Sequence, residues 1–430
     1  MSRPTVAYAG MTHLGLCSAI AAASKGFETI AFTPDAALVA ALQVGKLPVL
    51  EPDLDDLLAT HRACISFTAD AQRLRDADIV YVAPDVPTDD DGRSDLAPLD
   101  HLLDQVFAST RPDAVIVVLS QVSPGFTRAR QRPGRILYYQ VETLIFGRAV
   151  ERATLPERFI VGCADPRQPL PAALGDYLGA FDCPILPMRF ESAELAKISI
   201  NFCLVASISV ANTLAELCEG IGADWSEIVP ALKLDRRIGA YAYLAPGLGI
   251  AGGNLERDLA TVLRFAATHA TDAGVVSAWI ANSRHRKGWS ARVIKEELLE
   301  RKPQAKLAAL GLAYKENTHS IKNSPAIDCL NALRGSDITV FDPAVGAEVV
   351  PFAKGAASAM ACVEGADALL ILTPWPQFRE LDVAALARAM RGRLIVDPYR
   401  VLAADRAVAA GFDYITLGVP PMRAAEKSRA

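Results

Sequence analysis

Short, near-continuously apolar runs alternate with amphipathic stretches through the first 190 residues. The runs are Thr5–Ala9, Glu28–Phe32, Ile79–Ala83, Ala114–Leu119, Ile136–Tyr139 and Phe159–Val161. Strands without polar alternation belong to parallel sheets covered on both faces. From residue 190 to about 300 the pattern is helical throughout. The alternation then resumes with Lys306–Leu310, Ile338–Phe341, Ala368–Leu372, Leu394–Val396 and Tyr414–Leu417. The chain is therefore expected to be α/β, with two doubly wound domains joined by a long central helix and a helical middle domain. The expected boundaries are 1–190, 191–300 and 301–420, and the polar tail 421–430 is expected to be disordered.

Composition narrows the function classes. A chain of 430 residues supports roughly three domains, and 51% apolar residues suit compact α/β units. The net charge is −5 and the pI about 5.8, so no basic field recruits nucleic acid. The eight cysteines are scattered without a C-x-x-C pair, which fits small core residues in a reducing compartment. No metal site is expected. Phe202–Cys218 is interrupted by Ser207, Ser209, Asn212 and Glu216, so no membrane span is expected. The first strand begins without a secretory segment, and the expected location is cytoplasmic.

Two stretches carry chemistry. After the first strand comes Gly10-Met11-Thr12-His13-Leu14-Gly15, opening a helix that leads to a second strand ending at Phe32. This is the strand–turn–helix unit that holds a dinucleotide pyrophosphate on a helix N-terminus, a Rossmann-like arrangement. It puts Gly10, Met11, Thr12, Leu14, Gly15 and Thr33 around the cofactor. Two positions depart from the pattern: Thr12 stands where a second glycine lets the backbone approach the phosphates, and Thr33 where an acid binds the ribose. Asp35 follows a proline and is expected to cap the next helix. Losing the acid removes repulsion against a 2′-phosphate, so NADP is possible beside NAD. The second stretch is Pro246–Asp258, where glycines at 247, 249, 252 and 253 feed an apolar helix. A glycine-rich turn at a helix start can hold a polar or anionic ligand.

From Gly45-Lys46-Leu47-Pro48-Val49-Leu50-Glu51-Pro52-Asp53-Leu54 onward, the chain resembles the UDP-glucose/GDP-mannose dehydrogenases over nearly its whole length. The ordered matches include Val86-Pro87-Thr88 with Asp91-Gly92 and Asp95-Leu96, Pro156–Gly162, Glu191–Asn212, Arg237-Ile238-Gly239, Gly311–Lys315, Phe341-Asp342-Pro343 and Ala366–Trp375. The resemblance implies oxidation of a nucleotide-sugar C6 alcohol with NAD, by way of an aldehyde, a cysteine thiohemiacetal and a thioester. It also implies a homodimer built on the central helix. Lys197 and Asn201 lie at i and i+4 on that helix, so they share a face. By resemblance they hold the oxyanion and the catalytic water, Asp258 works with the Lys, and Glu142 completes the catalytic group. Pro87, Thr88, Ser120, Gln121 and Lys322 would contact the cofactor. Leu144, Lys197, Asn201, Arg237, Gly249, Gly252, Lys315 and Arg400 would contact the substrate, with Arg237 reaching that of the neighbouring subunit.

The departures concentrate in the chemistry. The family's G-G-S-C-F-P-K-D loop reads Gly252-Gly253-Asn254-Leu255-Glu256-Arg257-Asp258, with Ala251 at its first glycine. Aligned on Asp258, Asn254 occupies the place of the nucleophilic cysteine, and a carboxamide cannot form the thioester. Cys203 lies two residues from Asn201 and so on another helix face. Ser120-Gln121-Val122-Ser123 lacks the family's Thr, Phe146 replaces a second Glu, Lys322 replaces an Arg, and Asp397-Pro398-Tyr399 replaces D-G-R with Arg400 next. Three readings follow. The first is a nucleotide-sugar oxidoreductase, a UDP-sugar first among substrates, that bypasses the thioester, with Asn254 bonding the sugar or aldehyde. The second is a redox-neutral epimerase or lyase with tightly held cofactor, and the third a non-catalytic nucleotide-sugar-binding paralogue.

Overall fold

The computed structural model describes residues 3–89 and 93–425 and divides into two compact units, 1–200 and 201–430. The first unit holds one eight-stranded sheet. Its strands are β1 (Val6–Ala9), β2 (Thr29–Phe32), β3 (Ile65–Thr68), β4 (Ile79–Val82), β5 (Val115–Val118), β6 (Ile136–Gln140), β7 (Phe159–Cys163) and β8 (Ile185–Arg189). Their order is β3-β2-β1-β4-β5-β6-β7-β8. All pair in parallel except β6 with β7, which run antiparallel, so the expectation of a wholly parallel sheet is corrected at that junction. Every residue of β1, β2, β4, β5 and β7 is buried, as helices on both faces demand. The strands missing from the sequence expectation, β3 and β8, are the two edges. Ile65-Ser66-Phe67-Thr68 alternates, and Pro187 interrupts Ile185–Arg189, so neither shows a continuous apolar run.

The second unit carries a six-stranded, all-parallel sheet made of β9 (Lys306–Leu310), β10 (Asp337–Phe341), β11 (Lys354–Gly355), β12 (Ala368–Ile371), β13 (Leu394–Val396) and β14 (Asp413–Ile415). The order β11-β10-β9-β12-β13-β14 repeats the logic of the first sheet: strand order reverses between β9 and β12, as it does between β1 and β4. Such reversals open a crevice at the strands' carboxyl ends, where ligands bind. At each a glycine is obligatory. A Cβ on Gly10 (φ +98°) would lie 2.8 Å from Pro84 N, and one on Gly311 (φ +100°) 2.5 Å from Thr373.

Phe190–Ile221 forms a single 32-residue helix, and the division between units falls inside it. By length and composition it could cross a membrane. Its charges are satisfied within the protein: Glu194 by backbone N–H groups, Lys197 by Glu142, and Glu216 and Glu219 by Arg286. The middle region is not wholly helical, because 235–253 is an extended loop. Pro246 and the positive-φ glycines 239, 249 and 252 stop helix growth there. The tail expectation is also corrected. Met422 bridges to Tyr414, Arg423 pairs with Glu297 and Asp413, and Ala424 N–H bonds Asp413, while 426–430 lie outside the described residues.

Candidate active site

In the first unit the turn after β1 is built by exclusion. A Cβ on Gly15 would sit 1.8 Å from Gly10 O, so only glycine lets the helix His13–Ser24 start beneath the turn. Met11 and Leu14 are buried in the core, leaving only their backbones to face a ligand. Thr12 is the N-cap residue, yet its side chain caps no helix N–H. Its Oγ1 instead accepts from Asp85 N–H at 2.8 Å, and the Asp85 carboxylate accepts from His13 N–H at 3.0 Å. Thr33 is buried, with Oγ1 accepting from Asp35 N–H at 3.4 Å. Asp35 caps the next helix by accepting from Ala37 and Leu38, as its place after Pro34 predicts.

The neighbouring loops close on this turn. Ser120 Oγ donates to Pro84 O at 2.5 Å, and Gln121 is half-buried beside it. Pro87 O accepts from Asp95 N–H at 2.9 Å, and Thr88 bridges to Ser94. Asp91 and Gly92 lie outside the described residues. A buried carboxylate that the sequence reading passed over, Glu51, accepts from Gly147 N–H at 2.9 Å and Ala149 N–H at 3.2 Å, and meets His13 Nε2 at 2.7 Å. The His13 ring packs on Phe146, centroids 4.1 Å apart. Glu51 thus joins the dinucleotide turn to the 141–149 loop, which carries Glu142 and the half-buried Leu144. Glu142 accepts from Leu144 N–H and lies 3.5 Å from Lys197 Nζ, both side chains largely shielded. Near it, Glu194 accepts from Gly125 at 2.6 Å and Thr127 at 2.8 Å, with its carboxyl pushed up by burial. A periodicity search finds neither Glu51 nor Glu194, since both act on loops distant in sequence.

The second unit holds a polar cluster of its own. Asn201 Nδ2 donates to Asp258 Oδ2 at 2.5 Å, and Arg257 Nε lies 3.4 Å from the other carboxylate oxygen. Asn201, Arg257 and Asp258 are all buried. The glycine loop preceding Asp258 is pinned along its length. Gly247 N–H donates to Asn212 Oδ1, and Ile250 N–H to Ser283 Oγ, both at 2.8 Å. A Cβ on Gly249 would meet Ser283 O at 2.6 Å. Gly252 N–H reaches Lys322 O at 3.2 Å, and Asn323 Nδ2 donates to Gly252 O at 2.8 Å and to Glu256. Asn254, expected at the nucleophile's place, is the first residue of the helix Asn254–His269, and its side chain lies outside the described structure.

The remaining expected residues are engaged locally. Arg237 is exposed and grips Asp235 with both Nε and Nη2. Lys315 lies over the Tyr314 ring at 5.7 Å. Arg400 (φ +51°) reaches Asp224 and Ser226 at 3.4 Å. It lines a cavity of about 410 Å³ with Trp225, Val229, Lys233 and Tyr399. Among the described residues no cluster of His, Cys, Asp or Glu could hold a metal ion.

Two parallel-rich sheets with reversed strand order, each with an obligatory glycine at its switch point and the first feeding a helix start, define an α/β protein of the doubly wound, dinucleotide-binding class. Matches to known proteins agree. The NAD binding domain of the UDP-glucose/GDP-mannose dehydrogenase family matches residues 4–170, its central domain 191–284 and its UDP binding domain 308–404. A UDP-glucose 6-dehydrogenase of Pseudomonas aeruginosa is 30% identical over 440 residues, covering 96% of each chain. TuaD of Bacillus subtilis, also a UDP-glucose 6-dehydrogenase, is 28% identical, covering 98% of this chain and 95% of its own. A UDP-glucose dehydrogenase structure from Pyrobaculum islandicum superposes with a TM-score of 0.82 at 25% identity, covering 94% of this chain and 96% of that one. The chain belongs to the UDP-glucose/GDP-mannose dehydrogenase family. It is an NAD-dependent oxidoreductase of a nucleotide sugar. The turn fits that cofactor: Gly10 and Gly15 let the helix start pack closely against the strand, and Thr12 caps no helix N–H, although the Asp85 carboxylate accepts from that of His13.

Proposed function

We propose that this enzyme oxidises a UDP-sugar without a covalent thioester, releasing an aldehyde or ketone, or an acid formed through the aldehyde hydrate. The observation that carries the reading is Asn254 at the start of the loop helix, three residues after Ala251 and four before the buried Asn201–Asp258 pair. NAD, when bound, accepts the hydride. Lys197, held by Glu142, supplies positive charge for the developing oxyanion, and Asp258, oriented by Asn201, accepts a proton. Asn254 would donate to the sugar or aldehyde oxygen. Within the second unit Cys218, Cys329 and Cys362 are buried, and the exposed Cys203 lies two residues from Asn201, on another face of the helix. Arg400, beside its cavity in the UDP binding domain, is the cation offered to the diphosphate.

The same reading makes the protein a cytoplasmic homodimer. Val210, Leu214, Leu217 and Ile221 recur at helical spacing on the long helix and are exposed, an apolar stripe of the kind a second copy covers. Arg237, exposed on the following loop, would then serve the partner's substrate. A redox-neutral epimerase or lyase is the second reading, favoured by the altered cofactor positions Thr12, Thr33 and Lys322. Incubation with NAD and a panel of UDP-, GDP- and TDP-sugars separates them. The expected result is cofactor reduction with a product two mass units lighter than the substrate, or its acid. An isomer of unchanged mass overturns the oxidative reading. The Asn254→Cys variant is expected to gain acid formation, and acid made equally well by both proteins would overturn the role given to Asn254.

A further inference from the structure

We infer that Asp85 is a built-in competitor for the cofactor's pyrophosphate and sets a weakened affinity for NAD. The inference rests on the assignment of the turn at residues 10–15 to NAD. A helix start that binds a pyrophosphate does so with backbone N–H groups left free by the absence of a side-chain cap. Here Thr12 caps nothing, and the first turn of His13–Ser24 holds no acidic residue. The N–H of His13 is nevertheless taken, at 3.0 Å, by a carboxylate from the loop after β4. The contact is reciprocal, because Asp85 N–H donates to Thr12 Oγ1 at 2.8 Å. The hydroxyl at the position where a second glycine would stand is thus one half of a two-bond latch, and the carboxylate is the other.

The latch is held from behind. Pro84 abuts Gly10 so closely that no Cβ fits, and Ser120 Oγ donates to Pro84 O at 2.5 Å. Asp85 therefore cannot drift far from the turn by moving its backbone, and only its side chain can swing away. It is an exposed residue, so the swing into water is open to it. An incoming pyrophosphate must displace this carboxylate from His13 N–H and then sit beside its negative charge. Two like charges a few ångströms apart at a partly solvated surface oppose each other by about 1–2 kcal/mol, equivalent to roughly fivefold to thirtyfold in affinity.

The test is calorimetric titration of NAD, and of ADP-ribose as a probe without the nicotinamide, into wild type, Asp85→Asn and Asp85→Glu. Asp85→Asn keeps an acceptor for His13 N–H but removes the charge, and should bind both ligands roughly fivefold or more tightly. Asp85→Glu keeps the charge and should stay within about twofold of wild type. Raising the salt concentration should narrow the gap between wild type and Asp85→Asn, because it screens the repulsion. Equal or weaker binding by Asp85→Asn overturns the inference while leaving the NAD assignment standing. Absence of dinucleotide binding in all three proteins, each still binding UDP, overturns both. Amide NMR gives a second readout without cofactor: the His13 resonance should move in Asp85→Ala, and a His13 amide indifferent to that change would show that the latch does not form.

Discussion

Glu51 shows how much a single buried carboxylate can organise. Its oxygens take the N–H groups of Gly147 and Ala149 and face His13 Nε2, with no exposure of the side chain. In Glu51→Gln an amide NH₂ would confront those N–H donors, leaving buried polar groups unpaired at about 1–3 kcal/mol. The expected outcome is a lower melting temperature, together with a raised KM for the nucleotide sugar as the 141–149 loop loosens. A loss of kcat alone, with stability and KM unchanged, would contradict a positioning role. Asp258 makes the complementary case. Buried and bonded to Asn201, it should cost Asp258→Ala at least about a hundredfold in kcat/KM if it handles the proton. A retained rate would remove it from the chemistry. Lys197, Asn201 and Asp258 were legible in the sequence as candidates, because their spacing and the family pattern marked them. Glu51, Glu194 and Asp85 were not, since each acts on backbone N–H groups of a loop far away in the chain.

At the scale of elements, the turn–helix unit at 10–24 is limited by volume. A methyl group at Gly15 has 1.8 Å to the nearest carbonyl oxygen and can be accommodated only by pulling the helix off the sheet. Gly45 has a positive φ of 78° but nothing within 4 Å of an added Cβ. Gly15→Ala is therefore expected to abolish folding of the first unit or cost about 3 kcal/mol or more, whereas Gly45→Ala should cost only about 1 kcal/mol, the penalty of a left-handed residue. Thermal melts of the two variants check the contrast, and similar melts would refute it. The central strands were readable as apolar runs because both of their faces are covered. The edges β3 and β8 were hidden by alternation and by Pro187. The loop at 235–253, hydrophobic enough to pass as helix, is set instead by Pro246 and its positive-φ glycines.

At the scale of the molecule, one buried charge makes the second unit sensitive to acid. Asp367 is buried at the start of β12 and accepts from Arg391, Lys302 Nζ and Lys306 N–H. The Arg391 guanidinium first, then the Lys302 ammonium, hold its carboxyl well below the ordinary range. A depressed folded value means that this stabilisation is fully present above the unfolded value of about 3.9 and is lost as pH falls toward the folded one. Asp367→Asn should therefore melt below wild type at pH 7, with the gap closing between pH 4 and pH 2. A gap independent of pH would mean that packing, not charge, sets the effect. For the proposed dimer, Leu217→Asp on the exposed stripe should give monomers in light scattering with the fold intact by circular dichroism. A wild type that is itself monomeric would overturn that proposal.

The sequence by itself determined the central strands of the two sheets, the glycine turn and loop, and Asn254 as the candidate at the nucleophile's place, because these depend on local periodicity, backbone freedom and residue identity. Tertiary structure alone decided what each site residue touches. It placed Asp85 on the helix that should receive a phosphate, buried Glu51 beneath two loops, and joined Asn201 to Asp258 across 57 residues of chain. Such contacts join polar groups far apart in sequence, and their strength comes from burial, which no window of residues records.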